Sequence, residues 1–273
     1  MKPLIINQIL SASSKSMENA QELVEEAELL LKNSKHARAF ALAHLACEEL
    51  IKFQALIPVA FELARNHRVD WKKIDKRLRN HILKIRGSIL LDYLRQPAQD
   101  GAYQASELSQ QMDAAEDLND LKNHSLYASQ IGDEFFKPSE RINPQLATAC
   151  VAHAREQLQI FQTMYSALYT LTGMTEEGLR HCIEMPEFQA LFQALGNITD
   201  LSHLPMVDKQ QAIAEMTAMF NNPAFQPLFA QFSAAVEQVL QASNQAENLI
   251  PGDDPEDGGE SLEMTRHDRQ ESD

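Results

Sequence analysis

The chain has 273 residues, 44% of them hydrophobic and 23% charged, with 9 glycines and a formal net charge of −15. That is enough apolar side chain for one or two globular domains with a substantial core, and the scarcity of glycine beside abundant Ala, Leu, Gln and Glu favours an all-α fold. Three cysteines, Cys47, Cys150 and Cys182, are odd in number and lack metal-ligand spacing, so neither a disulfide framework nor a zinc site is expected.

The opening MKPLIINQIL is broken by Asn7 and Gln8 too early for a signal h-region, and no later run approaches the ~18 apolar residues of a membrane span. A cytoplasmic location is therefore expected. A first helix is predicted after Ser16 as N-cap, with Ala20, Leu23, Val24, Ala27, Leu30 and Leu31 as its stripe, ending near Asn33. A second runs from about His36 to Pro58, which kinks or ends it. Trp71, Ile74, Leu78, Ile82, Ile85 and Ile89 define a third, and a shorter helix covers roughly 104–120. Residues 121–144, LKNHSLYASQIGDEFFKPSERINP, read as a long polar loop of the kind that more often carries function than not. Asn143 then caps a helix that opens with Pro144 and stops at Gly173.

These helices make a four-helix bundle over residues 1–173. Residues 174–250 form a C-terminal helical segment in which PEFQALFQAL at 186–195 and PAFQPLFAQF at 223–232 repeat. Two amphipathic helices packing together explain such a repeat as well as capture of a partner helix does. Residues 251–273, with 9 acidic and 2 basic residues, read as a disordered acidic tail.

Charge is uneven. Residues 1–100 carry 16 Lys+Arg and 12 Asp+Glu, whereas 62–95 alone carry 10 and 4. The acidic whole argues against broad nucleic-acid adhesion, and the basic segment supplies a local phosphate-attracting surface. Opposite it, 174–273 has 4 basic and 18 acidic residues, so the tail either screens that surface or is a solubilising appendage.

Within the second helix, RAFALAHLACEELIKF at 38–53 is apolar on most sides and then ends in Glu48, Glu49 and Lys52. An intrahelical ion pair at i, i+3 or i, i+4 is the simple explanation. The third helix offers another: Arg77, His81 and Lys84 fall within about 60° of arc bordering its apolar stripe. If that row faces the second helix, Glu48, Glu49, Lys52, Arg77, His81 and Lys84 share one polar pocket, either as a structural salt-bridge network or as a site. No histidine has Glu three residues before it, and no phosphate loop, zinc spacing or nucleophile elbow is present, so no metal or other cofactor is expected. Cys47 reads as an inert core thiol and His153 as a structural residue on an apolar helix.

RAFALAHLACEELIKF, followed by RNHILK and then LKNHSLYAS, resembles the AbiV family of abortive-infection proteins in the HEPN superfamily of α-helical, nucleic-acid-associated domains. Arg38, Glu48, Glu49 and Lys52 match its first block, His81 and Lys84 the second, Lys122 and Tyr127 the third. Ile51 stands where the pattern has glycine. The resemblance covers roughly 16–172 and implies a HEPN-type bundle that pairs as a homodimer, acts in antiviral defence and answers to a phage-encoded activator. Many HEPN proteins are metal-independent ribonucleases with an Arg-x(4–6)-His motif. Here the only clean spacing is Arg38 to His44, so RNA cleavage is implied by the superfamily and not by the motif. On that reading His81 removes a ribose 2′-hydroxyl proton, Lys52, Lys84 and Arg77 offset the developing charge, Glu48 and Glu49 orient them, and Arg38, Arg79, Lys122 and Tyr127 contact RNA. The competing expectation is a non-catalytic protein that binds a ribosomal, RNA or phage partner.

Overall fold

A computed structural model describes residues 2–95 and 105–185 of the chain. Among them are α1 (Ile6–Lys32), α2 (His36–Ala64), α3 (Trp71–Arg79), α4 (His81–Arg95), α5 (Ala105–Asp113), α6 (Ala115–Leu126), strands β1 (Ser129–Ile131) and β2 (Glu134–Phe136), α7 (Pro138–Arg141), α8 (Pro144–Thr172) and α9 (Glu176–Glu184). The fold is all-α apart from one small antiparallel hairpin. None of the described helices is long and apolar enough to cross a membrane. The PEFQALFQAL and PAFQPLFAQF repeats and the acidic tail lie outside the described residues.

Helix α2 is the axis of the molecule. Ala39, Ala43 and Ala46 have no exposed surface, and their small side chains let α1 and α8 pack directly against the α2 backbone. Phe53 meets Phe161 of α8 edge to face at 5.9 Å, and the Ser14 and Tyr165 hydroxyls tie α1 to α8 at 3.1 Å. A second apolar cluster joins Ile6, Ile9 and Leu10 of α1 to Leu56 and Val59 of α2, Ile74 of α3 and Leu179 of α9. Arg180 donates to the Ala64 carbonyl at 2.7 Å, so α9 also caps the end of α2.

The expected ends of α8 are found. The Asn143 side chain accepts from the Leu146 amide, Pro144 opens the helix, and Gly173 closes it in the left-handed conformation at φ 58°. Five other features differ from expectation. Helix α1 begins ten residues before Ser16, which is buried within it; the stripe Ile6, Ile9, Leu10, Ser13 and Met17 continues backward because the Ser13 hydroxyl donates to the Ile9 carbonyl and hides its polarity. Pro58 neither ends α2 nor stops the chain from helical continuation to Ala64. The helix expected from Trp71 to the Pro97 region and the one expected over 104–120 are each broken, at Asn80 and at Ala114. Most of the expected loop 121–144 is ordered: 121–126 complete α6, and a hairpin and α7 follow.

Helix α6 runs back along α4. Arg86 of α4 lies 3.6 Å from Glu116 in the first turn of α6, while Lys84 and Lys122 converge on one carboxylate of α2. Helix α4 itself lies close on α2, and the residue that permits this is Gly87. A Cβ placed on it would stand 2.9 Å from Ile51 Cγ2. The glycine absent at position 51 is thus replaced by one on the facing helix.

Ile51 Cγ2 is a methyl on the β-branched carbon of a side chain only 2% exposed, and β-branching restricts its χ1 in a helix. Gly87→Ala should therefore destabilise the protein by about 1–3 kcal/mol from overpacking, against about 1 kcal/mol gained in helix propensity. In urea melts the double variant Gly87→Ala, Ile51→Ala should lose less than the two single variants together; strict additivity would show that the two positions do not collide.

Candidate functional site

The polar end of the 38–53 stretch turns inward. Glu48 is 2% exposed, among the apolar side chains of α2, and its carboxylate is met from three directions. Lys84 of α4 approaches Oε2 at 2.5 Å, Lys122 of α6 approaches Oε1 at 3.0 Å, and His81 Nδ1 lies 2.6 Å from Oε2. Lys84 and Lys122 are as buried as the carboxylate, whereas the His81 side chain is 51% exposed. Lys122 also donates to the Asn119 side chain at 3.0 Å.

Asn80 places two members of this cluster. Its backbone leaves the helical region at φ −83°, ψ 113°, ending α3, and its side chain accepts from the Leu83 amide at 3.1 Å, starting α4. His81 and Lys84 therefore occupy the first turn of a new helix whose positive end faces the cluster. Arg77 stays behind on α3, so the expected Arg77, His81, Lys84 row is split at the break. Burial pushes the Arg77 guanidinium down to about 10. Lys122, expected in a loop turned toward RNA, is instead held inside by α6. Glu49 and Lys52 form the expected intrahelical pair beside the cluster, partly exposed. Arg38 is exposed, Arg79 is exposed and paired with Asp75 at 2.9 Å, and Tyr127 is 66% exposed just after α6.

Burial alone would push the Glu48 pKa up, but the hydrogen bonds and charges of Lys84 and Lys122 overcome that and hold it below the ordinary carboxylate value. An ionised carboxylate only accepts hydrogen bonds, so His81 must donate through Nδ1 and, when neutral, carries its lone pair on Nε2. The arrangement is a fixed imidazole with a basic nitrogen directed away from its anchor.

His44, one turn before Glu48, was not expected to take part. Its ring packs on Phe40, with centroids 6.1 Å apart, and its Nε2 is 4.0 Å from Glu48 Oε1. Burial pulls its pKa from 6.5 to about 4; Glu48 opposes this, and the charges of Lys122, His81 and His153 assist it. The signal for His44 was its i, i+4 spacing to Glu48. Farther along α8, His153 lies 3.5 Å from Asp92, which also accepts from Gln157, so this half-buried histidine stands in a polar pair. Burial raises both Cys47 and Cys150, the latter to about 12, which suits inert thiols.

A cleft of about 1050 Å³ between α1 and α9, lined by Ser11, Ser14, Arg180 and His181 among others, contains none of the expected site residues. Among the described residues no three His, Cys, Asp or Glu side chains gather as a metal site. The buried carboxylate with its half-exposed imidazole is the chemically organised place in the described structure.

Two outcomes follow from the burial. Glu48→Gln leaves two buried ammonium groups without a carboxylate and should cost about 3–5 kcal/mol, far more than Glu49→Gln, whose pair is partly solvated. His44 is depressed on folding, so its contribution is intact above pH 6.5 and is lost as pH falls toward 4. Between pH 6.5 and 4.5, above the range where the lowered Glu48 titrates, stability should drop by roughly 2–3 kcal/mol. His44→Leu should flatten that slope in urea melts; an unchanged slope would show that His44 does not fold as the neutral form.

A family model, HEPN_AbiV, described as AbiV, matches residues 8–159, a span that holds Glu48, His81, Lys84 and Lys122. No curated protein and no solved structure matches the chain.

Proposed function

The chain belongs to the AbiV family of HEPN-type abortive-infection proteins, and from that premise we propose that it is an antiviral effector that cleaves RNA without a metal, with His81 as general base. The observation that carries this reading is the Glu48–His81 pair: a carboxylate anchored by two buried lysines holds Nδ1 at 2.6 Å while half of the imidazole meets solvent. His81 Nε2 takes the 2′-hydroxyl proton, the 2′-oxygen attacks the adjacent phosphate, and the P–O5′ bond breaks as the 5′-oxygen takes a proton from water, giving a 2′,3′-cyclic phosphate and a 5′-hydroxyl end while His81 returns its proton to solvent. Glu48 fixes the tautomer and stabilises the imidazolium that forms. Lys52, the more exposed cation beside the cluster, and Arg77 are the groups proposed to offset charge on the phosphate, with Glu49 orienting Lys52. Arg38, Arg79 and Tyr127 are the proposed outer contacts to the RNA strand, whereas Lys122 and Lys84 act on it through the cluster. A homodimer completing the cleft, and a phage-encoded activator, belong to the same proposal.

One observation favours a second reading. The Lys84 and Lys122 side chains are 5% and 3% exposed and both are engaged by Glu48, as in a network whose work is to fix three helices. On that reading the protein is a non-catalytic toxin that binds a ribosomal, RNA or phage partner.

Purified protein incubated with total RNA in EDTA separates the two. The ribonuclease cleaves under these conditions, and His81→Ala lowers the rate by about 10²–10⁴ while its melting temperature stays near that of the parent, because half of the side chain is already exposed. Absence of cleavage under every activating condition, together with a fully toxic His81→Ala protein, would establish the binding protein instead.

A further inference from the structure

Helix α3 turns a cationic side outward. Asp70 caps it by accepting from the Lys72 and Lys73 amides, and Ile74, with no exposed surface, holds its inner side in the apolar cluster shared by α1, α2 and α9. Lys72 and Lys76 each stand two residues from Ile74, about 200° round the helix, and both are exposed, one turn apart. Arg68, just before the cap, is exposed as well. Among the described residues no carboxylate pairs with these three cations, although their neighbours are matched: Glu62 takes Arg65 and His67, and Asp75 takes Arg79. Residues 65–79 carry 7 Lys+Arg against 2 Asp+Glu, so the corner from the end of α2 through α3 is strongly positive.

The described chain ends beside this corner. Arg180 of α9 donates to the carbonyl of Ala64, the residue before Arg65, and Leu179 shares an apolar cluster with Ile74. Helix α9 is held there at close quarters: a Cβ on Gly178 would stand 1.9 Å from the Thr172 carbonyl oxygen, a backbone atom that cannot swing aside as a side chain can. The Glu176 amide also donates to the Asn7 side chain at 3.2 Å. The chain that follows Met185 therefore sets out from next to α3. It closes with residues 251–273, which carry 9 acidic and 2 basic residues. The stretch 186–250 that joins them is far longer than the few residues needed to cross from α9 to α3 at about 3.3 Å per residue. Being part of the same chain makes the encounter intramolecular, which favours this segment over a free polyanion of equal affinity at low concentration.

We propose that the acidic segment 251–273 lies across the outer side of α3, drawn by Arg68, Lys72 and Lys76, and that it excludes other polyanions from that surface. The inference stands apart from the chemistry at His81, since it concerns a surface and its occupant and holds whether or not the protein cuts RNA. Exposed ion pairs are individually weak, so the contact depends on the number of charges facing each other and not on one fixed geometry. It is correspondingly sensitive to salt, because the screening length falls from about 30 Å at 0.01 M to about 10 Å at 0.1 M. Lys32 and Lys35, exposed near the first turn of α2, provide the reference: with 29 residues in α2 they stand roughly 40 Å from the α3 corner.

The test is zero-length carbodiimide coupling of amines to carboxylates on the full chain, mapped by mass spectrometry. A mixture of isotopically light and heavy protein separates links within a chain from links between chains. At about 10 mM salt, Lys72 and Lys76 should couple to carboxylates of 251–273 within one chain about fivefold more often than Lys32 and Lys35 do, and the excess should shrink severalfold at about 300 mM. A full-length variant with Asp253→Asn, Asp254→Asn, Glu256→Gln, Asp257→Asn, Glu260→Gln and Glu263→Gln has a net charge of −1 on the segment in place of −7. It should bind a heparin fragment about tenfold more tightly than the parent at low salt, a gain that disappears when Lys72→Gln and Lys76→Gln are added to both chains. Coupling spread evenly over the four lysines, coupling only between chains, or a neutralised variant with the parent's affinity for heparin would overturn the proposal and leave the segment a solubilising appendage. Heparin has no phosphodiester to cut, so neither measurement depends on the ribonuclease reading.

Discussion

The structure turns on one carboxylate buried where water cannot solvate it. Moving Glu48 inside costs several kcal/mol, and each lysine brought in to meet it carries its own desolvation cost. Apolar side chains of the same volume would hold α2, α4 and α6 together at least as firmly. What the ionic cluster adds is selectivity of register: Lys84 and Lys122 reach the same two oxygens only when α4 and α6 stand at one height against α2. A one-turn slip of either helix, harmless in a uniform apolar seam, would strand an ammonium group.

The apolar half of the molecule has the opposite character. Against α1 and α8 the contact surface of α2 is built from alanines with no exposed area, and α4 is admitted on the remaining side by Gly87 against Ile51. Close backbone approach shortens the reach required of Lys84, so that its Nζ contacts Glu48 with almost none of its side chain in solvent. Packing and electrostatics are coupled here. The glycine sets how near α4 lies, and that distance sets how dry the ion pairs are.

What could be read from the sequence follows from the range of the interactions involved. The ends of α8 were legible because Asn143, Pro144 and Gly173 each act on backbone a few residues away. The inward turn of Glu48 was legible too, since a helix apolar on both faces leaves a charge at its end few places to go. Three features were not. The start of α1 was hidden by Ser13 and Ser16, polar residues that lie on the buried stripe; the Ser13 hydroxyl is accommodated there by bonding back to its own helix. Asn80 interrupts an amphipathic pattern that continues in phase on either side, and only the capping bond to Leu83 distinguishes a break from a surface asparagine. Lys122 sits in a polar, glycine-containing stretch that reads as loop, and its burial is decided wholly by a carboxylate 74 residues earlier in the chain.

The site has an inner and an outer part, and they divide the work. Glu48, Lys84 and Lys122 are closed off, so nothing outside touches them directly; His81 is the member that presents an atom to solvent. The buried groups can act on what lies outside only by fixing the orientation of that imidazole and setting the local potential. The Glu48 carboxylate holds Nδ1, so Nε2 is the ring nitrogen left for a group outside the cluster.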